Sequence, residues 1–212
     1  LPTVARVTNH RKGNQSMSFI TGTNAELLYA NTTAGTAKAS FTSEVAINDT
    51  TGLGVQAHLP PDFFLPNPTA VGKGIRIVAR GILSSTGTPT YTFTIRSGAA
   101  GSTTAAILLG SAALTTGSGV SNQPWELQGD VFLVSQGAAG ANSSVRGTGM
   151  IVSPGLASPY MYGVGANASL TTPVATTFDC SITNFINMNI TCSASSASNT
   201  ITLQSLQIYG LN

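Results

Sequence analysis

Few side chains in this 212-residue chain can move a proton or attack a bond. His10 and His58 are the only imidazoles, and no Gly-x-Ser-x-Gly elbow occurs. A nucleophile needs a base beside it and a group that orients that base, so a hydrolase triad has no material here. Glu126 and Asp130 stand four residues apart. On a strand they share a side at about 13 Å, wider than the carboxylate pair of a glycosidase. Glu44 or Asp179 would have to be carried in by other strands to close that gap. Gly147-Thr148-Gly149 and Gly163-Val164-Gly165 lack the third glycine and the following helix that make a phosphate cradle. Cys180 and Cys192 would oppose each other if residues 176–182 and 188–194 paired as a hairpin. A cross-strand disulfide and two buried free thiols both fit that spacing. Neither histidine lies near them, so a zinc set is not expected. The expectation is no catalytic residue, no cofactor and no metal. One binding feature remains: Tyr160 and Tyr162 flank Met161 between Pro159 and Gly163. A tyrosine pair in such a loop suits a glycan or protein contact, or burial at a subunit interface.

The scarcity is general. Charged residues make up 8% of the chain, against roughly 25% in an average domain. In the 66 residues after Arg146 the only one is Asp179. Ser, Thr, Asn, Gln, Ala and Gly must therefore build the surface. The net charge of +2 defines no partner, and nucleic-acid binding is not expected. Arg6, His10, Arg11 and Lys12 cluster before any acid appears. Residues 1–25 read as a basic arm, either anchoring on a negative surface or simply solvated. No run of about 18 apolar residues exists, so no membrane span is expected. Leu1-Pro2-Thr3 opens no stretch of signal-peptide type.

The elements that would position these residues read as strands almost throughout. Tyr91-Thr92-Phe93-Thr94-Ile95-Arg96 alternates with the period of a half-buried strand. In 74–83, Ile75, Ile77 and Ala79 take one face and Arg76, Val78 and Arg80 the other. Ser85-Thr86-Gly87-Thr88-Pro89 between them is turn chemistry, so the two segments read as a hairpin. In 123–135, Trp125, Leu127, Val131 and Leu133 are evenly spaced, with Gly129 as a bulge or kink. Further strands are expected near 105–109, 144–153, 174–181, 186–194 and 199–209. In the last, Ile201 and Leu203 give way to Leu206 and Ile208, a change of phase that puts a bulge near Ser205. Segments 26–30 and 37–47 are weaker strands. Leu59 to Pro66 is a proline loop with one short turn around Asp62. No helical period stands out.

Eight to ten short strands with Gly, Ser and Pro turns imply an antiparallel β-sandwich over 26–212, a jelly roll first and an immunoglobulin-like sandwich second. Residues 71–81, 85–93, Pro124-Trp125-Glu126-Leu127 and 197–202 resemble a group of tailed-phage virion proteins. These are head decoration proteins, head fibres and tail appendages with jelly-roll or similar domains. The resemblance spans about residues 25–212. It implies a homo-oligomer, most often a trimer, on the particle surface, with other capsid or tail proteins as partners. It implies no catalytic residues. A host-surface glycan is the partner in the alternative, a receptor-binding module at a fibre tip. The arm around Arg6 to Lys12 resembles a capsid-anchoring arm, though no motif matches there.

Overall fold

The computed structural model describes residues 26–48, 57–64, 73–137 and 142–211. The basic arm, with Arg6, His10, Arg11 and Lys12, lies outside them. Strands dominate: β1 (Glu26–Asn31), β2 (Lys38–Ala39), β3 (Val45–Ala46), β4 (His58–Leu59), β5 (Gly74–Ser85), β6 (Thr90–Gly98) and β7 (Ile107–Gly110) come first. They are followed by β8 (Leu114–Thr115), β9 (Val120–Ser135), β10 (Ser143–Val152), β11 (Met161–Gly165), β12 (Val174–Phe178), β13 (Asn184–Cys192) and β14 (Thr200–Leu211). The one helical element among the described residues is a 3₁₀ turn, Ala166–Ala168.

The expected all-β antiparallel architecture is present. The strands form one continuous sheet in the order β1-β14-β5-β9-β10-β11-β7-β6-β13-β3, with β2, β4, β8 and β12 paired at its margins. Its two halves face each other across a single apolar core. Phe93 of β6 meets Trp125 of β9 with ring centroids 5.3 Å apart. The path is compatible with a jelly roll. β10 joins the halves: its whole length pairs with β9, while its other edge takes β12 at 143–146 and β11 at 148–152.

Alternation sets which residues enter the core. Ile75, Ile77 and Ala79 of β5 are fully buried, as are Leu127 and Val131 of β9. Arg76, Arg80, Glu126 and Asp130 take the opposite side. The phase change in β14 is also found, as a register shift between Leu203 and Ser205 opposite Gly81 and Arg80.

Two sequence expectations are corrected, and one choice left open is decided. The segments around Ile77 and Phe93 do not form a hairpin. β5 pairs with β14 and β9, and β6 pairs with β13 and β7, so residues 86–89 form a corner between layers. The corner is held from outside: Thr86 N–H donates to Asn199 Oδ1 (2.9 Å) and Thr90 N–H to Ser193 Oγ (2.8 Å). Both strands have a largely apolar face, and each buries it better against the other layer than beside its sequence neighbour. Gly129 is not a bulge either; pairing continues through it on both sides. A Cβ there would lie 2.7 Å from Leu109 Cδ1, so the glycine lets a leucine of the facing layer reach the sheet. Finally, of the two readings open for Cys180 and Cys192 the disulfide is not formed, and both are buried thiols. β12 pairs with β10 and β13 with β6, so no hairpin opposes the two. Cys180 Sγ lies 3.2 Å from Ser143 Oγ, and Cys192 donates to the Ala194 carbonyl.

Candidate functional site

The outer face of the β14-β5-β9-β10 half gathers most of the chemistry. Register places Arg76 opposite Asp130 and Arg80 opposite Glu126. Each guanidinium meets its acid: Arg76 Nε and Nη2 donate to Asp130 Oδ1 and Oδ2 at 2.7 and 2.8 Å. Arg80 Nε donates to Glu126 Oε2 at 2.8 Å, and its Nη1 to Gln207 Oε1 at 3.2 Å. Tyr209 hydroxyl donates to the same Gln207 oxygen. The two carboxylates noticed in the sequence do share a side. Each is turned to its own arginine, and neither is turned to the other.

The face changes character along β10. Arg146 and Thr148 continue the polar surface, and the next outward residues are Met150 and Val152, whose β11 partners are Gly163 and Met161. Directly opposed residues of an antiparallel pair share a face. Leu170 lies over Gly163, since a Cβ on that glycine would sit 3.1 Å from Leu170 Cδ2. The four large side chains are strongly exposed: Met150 49%, Val152 39%, Met161 55% and Leu170 64%. Between them and the ladder runs an open groove of about 420 Å³, walled by Pro124 and Pro154 and rimmed by Arg80 and Glu126. An apolar strip beside a neutral rim of one cation and one anion is chemistry for contact, since such side chains are worth more when covered.

The other half of the sheet carries one cluster of a different kind. Glu44 Oε1 accepts from Thr94 Oγ1 (2.6 Å), Arg96 Nε (2.7 Å) and Asn189 Nδ2 (3.0 Å), and Oε2 accepts from Arg96 Nη2 (2.8 Å). Arg96 Nη1 closes the set on the Ala105 carbonyl (2.6 Å). Burial acts to raise the Glu44 carboxyl. The hydrogen bonds from Arg96, Thr94 and Asn189, with the Arg96 charge, outweigh it and hold the group below the usual carboxylate range. A depression of about 240 Å³ opens beside Arg96, lined also by Thr104, Ile107 and Asn167. The guanidinium is already committed, so it has little left with which to hold an anion. The cluster ties the 102–105 loop to the sheet: Asn189 Nδ2 also donates to the Ser102 carbonyl. Asn189 Oδ1 is buried without a partner, as is Trp125 Nε1, a cost that the packing around them must offset.

The remaining sequence candidates are dispersed. Asp179 sits in a turn after β12, accepting from Ser181 Oγ (2.6 Å) and Ser181 N–H (2.9 Å), and those bonds lower its pKa. His58 packs against Phe185 with the ring centroids 5.6 Å apart and the planes tilted by 45°. Glu44, Asp179 and the β9 acids thus occupy three separate places. Among the described residues no group of three His, Cys, Asp or Glu side chains could share a metal ion. Tyr160 is exposed, at φ +67°, just before β11. Tyr162 points inward beside Ile151, packs on the core and donates its hydroxyl to the Ala157 carbonyl (3.0 Å). The pair therefore diverges. Asn189-Ile190-Thr191 matches the acceptor pattern for N-glycosylation, but Asn189 is fully buried. The apolar strip had a readable signal: Met150, Ile151 and Val152 are consecutive apolar residues, and alternation must expose the first and third.

No known protein family and no curated protein matches the sequence. Solved structures weakly similar to the chain include the following two. The CBM2 module of the evolved Dit of Lactobacillus casei BL23 phage J-1 is 9% identical, with a TM-score of 0.33 over 87% of this chain and 95% of that one. A legume lectin-like domain from Entamoeba histolytica is 11% identical, with a TM-score of 0.20 over 84% and 89%. At such scores the likeness carries neither fold detail nor function across. No helix among the described residues is long and apolar enough to cross a membrane.

Proposed function

We propose that this chain is a non-enzymatic structural subunit of a virion surface that works by assembling with copies of itself. The observation that carries the reading is the strip of Met150, Val152, Met161 and Leu170, left uncovered on a sandwich with few charges. Few ions need desolvating when such surfaces meet, which lowers the cost of burial. The acids that a hydrolytic cleft would require are engaged in separate places: Glu126 and Asp130 by arginines on β5, Glu44 by Arg96, and Asp179 by Ser181. The resemblance of residues 71–81, 85–93, 124–127 and 197–202 to phage virion proteins supports the particle setting.

A second reading, a glycan-binding module, has Tyr160 in its favour. A non-glycine residue in the left-handed region holds an exposed ring at a backbone cost, as residues at binding sites often do. Sedimentation velocity of the full chain from 1 to about 100 μM separates the two. Growth of an oligomer with concentration is expected. A monomer throughout, with a glycan-array signal lost in Tyr160→Ala, overturns the assembly reading in favour of the second.

A further inference from the structure

We infer that the outer face of β10 and β11 is where a second copy of this chain seats, patch against patch across a local two-fold axis; this rests on the assembly reading above and names its surface. Three observations single out this occupant.

The first is contiguity. Met150 and Val152 lie on one strand, Met161 faces Val152 in register, and Leu170 covers the Gly163 position beside Met150. The four form a single field.

The second is charge. The field itself holds no ionisable group, and its β9-side rim offers one cation and one anion, Arg80 and Glu126, 2.8 Å apart. Two identical patches carrying one sign would repel. A rim with both signs is complementary to itself under a two-fold rotation, because Arg80 of one copy can meet Glu126 of the other. Trp125, the aromatic residue lining the groove, is buried against Phe93 and offers a sugar no ring to stack on.

The third is size. The four side chains expose on the order of 400 Å², the size of the largest apolar patch on a typical monomer, which is often functional, and about half of what each partner contributes to a standard interface. The rim must therefore enter the contact, with the stems of Arg80 and Glu126 and the prolines of the groove. A contact at the small end of the range belongs with weak, transient association. It closes where copies are concentrated and not in dilute solution.

The test is sedimentation of the full chain, with folding checked by far-UV circular dichroism and melting. Met150→Asp and Met161→Asp are expected to weaken dimerisation at least tenfold. Leu27→Asp, an exposed apolar residue on β1 outside the field, should leave it unchanged. Arg80→Glu and Glu126→Arg should each weaken it several-fold, and the double swap should restore it. If the parent chain assembles and the Met150 and Met161 variants assemble equally well, this face is not the interface, while the assembly reading stands. A parent chain that stays monomeric overturns both. If the aspartates unfold the protein, Val152→Cys takes their place. Its copies should join through a short bismaleimide only where dimer forms, and Cys180 and Cys192 are buried away from the reagent. Absence of that cross-link in an assembled sample overturns the inference.

Discussion

The same pair of side chains, arginine and a carboxylate, appears on both layers and does different work on each. On the β6-β13 layer, Arg96 and Glu44 expose only 14% and 18% of their side chains. Thr94, Asn189 and the Ala105 carbonyl complete their hydrogen bonding. On the β5-β9 layer, Arg80 and Glu126 expose 45% and 41%, and only Gln207 joins them. The first pair is a fixture that fastens a loop to a sheet. The second is a rim that water or another surface can reach. Solvent access, more than the bond lengths, separates the two, since both hold at 2.7 to 2.8 Å.

Removing Arg96 should break the contrast most sharply. Arg96→Ala leaves Glu44 shielded without its counter-charge, and should cost about 3 kcal/mol in urea-unfolding free energy. A loss below about 1 kcal/mol would place this pair in the same class as the exposed ones. Glu44→Gln sharpens the comparison through pH. The Glu44 pKa is lowered from its ordinary value of 4.5, so its contribution is complete above that pH and is lost as pH falls through the folded value. The variant's melting temperature should therefore fall less steeply than the parent's below about pH 4.5. Equal slopes would show that the carboxylate contributes nothing to acid sensitivity. Arg76→Ala should have the smallest effect, under about 1 kcal/mol by the same urea measurement, because its pair with Asp130 is substantially exposed.

What was readable in the sequence followed from period. Alternation placed Ile75, Ile77 and Ala79 in the core and Arg76 and Arg80 outside, and the phase break located the irregularity at Ser205. Partnership was not readable. Residues 74–85 and 90–98 look like neighbours because the turn chemistry of 85–89 suits a hairpin and a layer corner equally. What decides between them is Asn199 and Ser193, more than a hundred residues away. Gly129 fails for the same reason, since the leucine that requires it belongs to the facing layer. The candidate surface was half visible. The interest in Tyr160 and Tyr162 pointed to the right stretch of chain, but alternation turns Tyr162 inward and leaves Met161 as the outward residue. Glu44 gave no sign of its partner, because Arg96 lies 52 residues on.

The position of β14 between β1 and β5 has a consequence for how the protein comes into being. During synthesis, β5 and β9 can pair early, yet one edge of β5 stays bare until residues 200–211 leave the ribosome. Until then the nascent polypeptide presents an open hydrogen-bonding edge beside an unfinished core, a state prone to join with its neighbours on the same messenger.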